Sequence, residues 1–130
     1  MKCLLDTCAI LWAVAAPEHL SEEAKTVLND PKTQVFVSPI SVAELACGVE
    51  RNKIALTEHW KPWSRKYISL NNWNVEPISL EIMEEAYSLA PPFHRDPADR
   101  IIVSTARMIR GSVITADRKI LDYPHVDTIW

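Results

Sequence analysis

The stretch "KCLLDTCAILWAVAAP", residues 2–17, sets the reading of the whole chain. Its first part, "KCLLD" (2–6), is a short apolar run suited to a buried strand. From Thr7 onward Ile10, Leu11 and Val14 fall at helical spacing, and Pro17 ends that pattern. A strand therefore passes directly into a helix, with Asp6 at the junction. The same run imitates a secretory signal, having a lysine, an apolar stretch and an A-V-A triplet. Asp6 inside the apolar stretch and the minimal basic region argue against that. The run is also too short and too charged to span a membrane.

The strand-then-helix alternation continues outward. Ser21 is placed to cap a helix whose Ala24, Val27 and Leu28 form an apolar stripe. "QVFVS" (34–38) is a β-rich run between Pro31 and Pro39. "SVAELACGVERNKI" then sets Val42, Leu45, Ala46 and Val49 on one helical face. Residues 57–73 carry Trp60, Trp63, Tyr67 and Leu70 at helical spacing, and "NVEPI" (74–78) reads as a short strand. "SLEIMEEAYSLA" puts Leu80, Met83, Tyr87 and Ala90 on one face. A helix from Pro97 runs through Ile101, Ile102 and Ala106 toward Gly111, a candidate C-cap. "SVIT" (112–115), "DRKILDY" and "HVDTIW" read as strand, short helix and terminal strand. Such alternation implies an α/β fold, a parallel sheet covered on both faces.

At 130 residues, 48% hydrophobic and 24% charged, the chain is expected to form a single domain over residues 1–130. A net charge of −3 neither announces nor excludes a nucleic-acid partner, and any such binding would need clustered cations or a metal. Cys3, Cys8 and Cys47 are odd in number and lack C-x-x-C spacing. They read as reduced, mostly buried thiols of a cytoplasmic protein, and not as a zinc site.

The acids follow the outline. Asp6 ends the first strand, Glu44 opens the helix after the second, Asp96 and Asp99 open a later helix, and Asp117 follows "SVIT". In a parallel sheet the carboxyl ends of the strands share one edge, where ligands bind. Each acid has a plain structural role too. Asp6, Asp96 and Asp117 are placed as N-caps, with Pro97 at the first helical position, and Ser41 with Glu44 matches an S-x-x-E capping box. Capping alone does not explain why an apolar strand should finish on a charge. Two carboxylates about 4 Å apart repel by roughly 4 kcal/mol at an effective dielectric of about 20. Several together require protons or a cation, and hard oxygen ligands suit Mg²⁺ or Mn²⁺.

"LLDTCAILWA", "SVAELACGV", "HRDPADRIIVSTA" and "VITADRKI" together resemble, in order and spacing, the motifs of PIN-domain ribonucleases, above all the VapC toxins of toxin–antitoxin pairs. The resemblance runs from Leu4 to Trp130, and residues 53–76 carry it least. It implies an α/β/α sandwich around a central parallel sheet and a metal-dependent endoribonuclease using Mg²⁺ or Mn²⁺. The family's acids match Asp6, Glu44, Asp99 and Asp117, with Asp96 at a more variable neighbouring position and Thr7 and Thr115 supporting the carboxylates. It implies RNA as substrate, an antitoxin as inhibitor, a homodimer, and no membrane association. Alternatives are a catalytically silent binding module of the same fold and an aspartate-nucleophile phosphatase. The phosphatase is disfavoured by D-T-C where such enzymes carry D-x-D.

Outside the motifs, the Trp60, Trp63, Tyr67 stripe reads first as core or an oligomer face and second as a base-stacking platform beside Lys61, Arg65 and Lys66. His94, beside the acid pair, reads first as a lone exposed histidine and second as a substrate contact. Arg100 is expected to pair with a local carboxylate rather than bind RNA.

Overall fold

The computed structural model describes residues 1–130. Its sheet holds five strands, all parallel, in the order β3-β2-β1-β4-β5. These are β1 (Lys2–Leu5), β2 (Gln34–Val37), β3 (Asn74–Val75), β4 (Ser112–Ile114) and β5 (Thr128–Ile129). The helices are α1 (Thr7–Ala15), α2 (Glu22–Asn29), α3 (Pro39–Glu50), α4 (Trp60–Leu70), α5 (Leu80–Ala86), α6 (Pro97–Ile109) and α7 (Arg118–Leu121). No helix is long and apolar enough to cross a membrane.

The apolar run at residues 3–5 is explained by its place. β1 is the central strand, paired through Leu4 with Phe36 on one side and Val113 on the other. Alternate residues enter opposite layers, as the two-residue period of a strand demands. Cys3 and Leu5 join Val35, Val37, Ile114, Ala24, Leu45 and Trp63 on one face. Leu4 and Val113 join Ile102, Val103 and Ala106 of α6 on the other. A third cluster, Ile82, Ala86 and Ile101, packs α5 against α6. The result is the expected helix–sheet–helix sandwich.

Gly111 shows why the junction between α6 and β4 is tight. A Cβ there would lie 2.8 Å from the Lys2 carbonyl oxygen, so the close approach of the chain to β1 requires glycine. The left-handed residue that ends α6 is Arg110, at φ 58° and ψ 46°, and not the expected Gly111. The Gly111 N–H donates to Ala106 O at 2.9 Å, closing the helix in Schellman fashion.

Other expectations change for stated reasons. The face of α5 bearing Leu80, Met83 and Tyr87 points outward, at 72%, 38% and 58% exposure, because Ile82 and Ala86 take the inner side. The N-cap of α3 is Ser38, whose Oγ accepts the Ile40 N–H at 3.2 Å, so the expected capping box of Ser41 with Glu44 does not form. Ser41 lies inside the helix and is fully buried. Of the cysteines only Cys3 is buried, its thiol pushed up by that burial to about 11, while Cys8 and Cys47 are exposed. Trp63 is buried and Tyr67 packs on the same cluster, so most of the aromatic stripe is core.

Candidate acidic site

β1, β2 and β3 extend the sheet in one direction, and β4 then pairs on the opposite side of β1. The chain reverses its direction of winding between β1 and β4, and a cleft opens at their carboxyl ends. Asp6 follows β1, its N–H bonded to Ile114 O of β4 at 3.2 Å. Asp117 follows β4 after Thr115 and Ala116. Both acids therefore leave the two adjacent strands at the switch point.

An open cavity of about 420 Å³ collects the rest. Asp6, Glu44, Asp96, Asp99 and Asp117 all line it, with Thr7, Cys8, Trp12, Ile102, Ala116 and Lys119. Acids as far apart in sequence as Asp6 and Asp117 are thus brought together by topology alone.

The capping roles are real and do not compete with this arrangement. Asp6 Oδ1 accepts the Ala9 N–H at 2.8 Å, Asp96 Oδ1 that of Ala98 at 2.9 Å, and Asp117 Oδ1 that of Lys119 at 2.9 Å. A cap occupies one carboxylate oxygen and leaves the other available. The N-termini of α1 and α6 also favour negative charge there.

Glu44 and Asp99 are held differently. Thr7 Oγ1 donates to Glu44 Oε1 at 2.5 Å, and Ser41 Oγ lies 3.0 Å from the same hydroxyl. Ser41 and Glu44, three residues apart on α3, face α1 together. Asp99 Oδ2 lies 2.6 Å from His94 Nε2. Thr115, fully buried, accepts the Asp117 N–H at 3.0 Å and shapes the turn beyond β4.

The electrostatics record the convergence. Burial raises the Asp6, Glu44 and Asp99 carboxyls above their ordinary range, and the neighbouring acids raise them further. Thr115 and the Ala9 N–H partly offset this at Asp6, Thr7 at Glu44, and His94 at Asp99. Cys8 acts as a probe of the same field. Its thiol is pushed up by desolvation first, then by Asp6, Glu44, Asp117 and Asp99. A divalent cation fits this donor set, which is all oxygen, mutually repulsive and open to solvent. The ligand atoms of His94, Asp96 and Asp99 lie within 4.8 Å of one another.

Sequence reasoning missed several residues here. His94 is half-buried and bonded to Asp99, not free. Arg100 pairs with no carboxylate. Its guanidinium donates to the carbonyls of His94, Ala86 and Phe93 at 2.9, 3.0 and 3.1 Å, clamping the segment before α6. Lys119 and Trp12 were also unremarked. The i, i+3 relation of Ser41 to Glu44 was legible, whereas nothing periodic announces a bond from a loop histidine to a helix five residues on.

Fold and site together define the class, an α/β domain with an all-parallel sheet and an acidic cleft at its switch point. The PIN domain family model matches residues 3–126. The chain belongs to the PIN domain family. It is 29% identical to Ribonuclease VapC22 of Mycobacterium tuberculosis over 129 residues, covering 98% of this chain and 97% of that protein. A toxin–antitoxin complex from Klebsiella pneumoniae matches at 26% identity and TM-score 0.63, covering 95% of this chain and 94% of that one. VapBC2 from Rickettsia felis, solved bound to a promoter DNA fragment, shares the fold at TM-score 0.64 and 15% identity, covering 98% and 97%.

Proposed function

We propose that this chain is a metal-dependent endoribonuclease of the toxin type, hydrolysing RNA phosphodiester bonds and held inactive by a cognate antitoxin. The observation that carries this is the meeting of Asp6, Glu44, Asp99 and Asp117 in one cleft at the β1–β4 switch point. Family membership and the similarity to a mycobacterial ribonuclease support the activity. The likeness to a Klebsiella toxin–antitoxin complex supports the inhibitor.

Asp6, Glu44 and Asp99 would hold Mg²⁺ or Mn²⁺, with Asp96 an accessory. When bound, such a cation neutralises phosphate charge and lowers the pKa of coordinated water. The protein's own groups orient the reaction. Thr7, bonded to Ser41 and Glu44, fixes the Glu44 carboxylate toward α1. Thr115 sets the turn that presents Asp117, whose free oxygen orients the attacking water. Lys119, on the rim of the cleft, meets the backbone phosphate. Residues 1–130 act as one unit, and the outward Leu80, Met83 and Tyr87 support a homodimer through α5.

The test is cleavage of a mixed RNA pool with Mg²⁺ or EDTA, by wild type and Asp6→Asn, with end-group analysis. The reading expects cation-dependent products bearing 5′-phosphates, lost in the variant. Equal cleavage by Asp6→Asn would remove Asp6 from the reaction. RNA bound but never cut, with any divalent cation, would instead favour a silent binding module.

A further inference from the structure

Beside the acids sits a side chain that the reaction above leaves unused. His94 Nε2 lies 2.6 Å from Asp99 Oδ2, and no other side chain bonds that carboxylate. The two side chains are 23% and 20% exposed, so the contact is partly shielded from water.

The imidazole is delivered there by a dedicated framework. His94 belongs to the segment 88–95, which has no regular structure of its own. Arg100 Nε, Nη2 and Nη1 donate to the carbonyls of His94, Phe93 and Ala86. The Phe93 ring packs 4.4 Å from the His94 ring and 4.6 Å from that of Tyr123, measured between centroids. Tyr123 in turn donates its hydroxyl to Ala90 O at 2.7 Å. Side chains from α6 and from beyond α7 thus pin this irregular segment at Ala90, Phe93 and His94, and tie it to the end of α5 at Ala86. A surface histidine meeting a carboxylate by chance needs no such support.

We propose that His94 is a positioning residue of the cation site. Its Nε2–H donates to Asp99 Oδ2, which fixes the plane of the Asp99 carboxylate and leaves Oδ1 to the divalent cation. This rests on the functional reading above. The neutral tautomer with the proton on Nε2 suffices, because an ionised Asp99 can only accept. Partners that orient a ligating group typically contribute 10- to 100-fold in metal affinity. Direct ligation by the imidazole is a different role with a different signature, since nitrogen ligands favour Ni²⁺ over Mn²⁺.

Calorimetric titration of Mn²⁺ and Ni²⁺ into wild type, His94→Ala and His94→Gln separates these roles. Thermal midpoints in EDTA serve as the folding control. Each variant loses or exchanges only one part-buried hydrogen bond, so both should melt within about 4 °C of wild type. His94→Ala is expected to lose roughly 10- to 100-fold in Mn²⁺ affinity, with Ni²⁺ falling in the same proportion. His94→Gln, whose amide N–H reaches about as far as Nε2, is expected to recover most of it. Unchanged Mn²⁺ affinity in His94→Ala, or a glutamine no better than alanine, would overturn the inference alone. So would a Ni²⁺ loss far exceeding the Mn²⁺ loss, which would mark a direct ligand. A wild type that binds neither ion would overturn the functional reading and this inference with it.

Discussion

Arg100→Lys asks whether one side chain holds the irregular segment that borders the site. The guanidinium makes three bonds to backbone carbonyls, at 2.9, 3.0 and 3.1 Å, and lies 5.4 Å from the Tyr87 ring centroid. Ala86 is the last residue of α5, so one of these bonds also caps that helix. Lysine keeps the charge but not the planar fork, and it can satisfy one carbonyl at a time. A net loss of about 1.5 kcal/mol for each of the two forfeited charge-assisted bonds gives about 3 kcal/mol. For a chain of this size that lowers the thermal midpoint by roughly 10 °C. The assay is thermal denaturation in EDTA, paired with amide exchange. The amides of residues 88–95 should exchange faster while those of β1 and β4 remain protected. A midpoint within about 3 °C of wild type, or unchanged exchange in that segment, would refute the clamp.

Three further outcomes follow from named contacts. Asp6, Glu44 and Asp99 have raised carboxyl pKa values, so their contribution favours the folded state below the ordinary carboxylate range and is lost as pH rises through the folded values. Asp6→Asn, which still caps α1, should therefore be more stable than wild type in EDTA at pH 7, by urea midpoint, with the gap closing below a pH of about 4. Thr7→Val removes the hydroxyl bonded to Glu44 and should weaken Mn²⁺ binding by about 10-fold or more while costing only about 1 kcal/mol of stability. Calorimetry and urea unfolding on the same sample check both halves. Gly111→Ala drives a methyl to within 2.8 Å of the Lys2 carbonyl and should cost roughly 2 kcal/mol, read as a lowered urea midpoint with unchanged slope.

The alternation of buried runs and helical stripes made the parallel sandwich legible, because period and length differ between strand and helix. The acids were legible for a related reason. Asp6, Asp99 and Asp117 stand where apolar strands end or helices begin, and parallel topology carries those positions to one edge. A capping role does not exclude the pocket, since a carboxylate has two oxygens and Asp6 spends only one on Ala9. What stayed hidden depends on loops. His94 and Arg100 act through a segment without regular structure, where neither period applies. The exposed stripe of α5 shows the converse limit. Leu80, Met83 and Tyr87 are as periodic as any core face, and periodicity does not say which face meets the protein.

The central claim is that the acids at the β1–β4 switch point form a divalent-cation site, and one comparison tests it without a substrate. The thermal midpoint is measured for wild type and Asp99→Asn, each in EDTA and in saturating Mn²⁺. A cation at about 100 times its dissociation constant stabilises by about 2.7 kcal/mol, a rise of roughly 10 °C for a chain this size. The account predicts that rise in wild type and its absence in Asp99→Asn. No rise in wild type up to millimolar Mn²⁺, or an equal rise in both proteins, would contradict it.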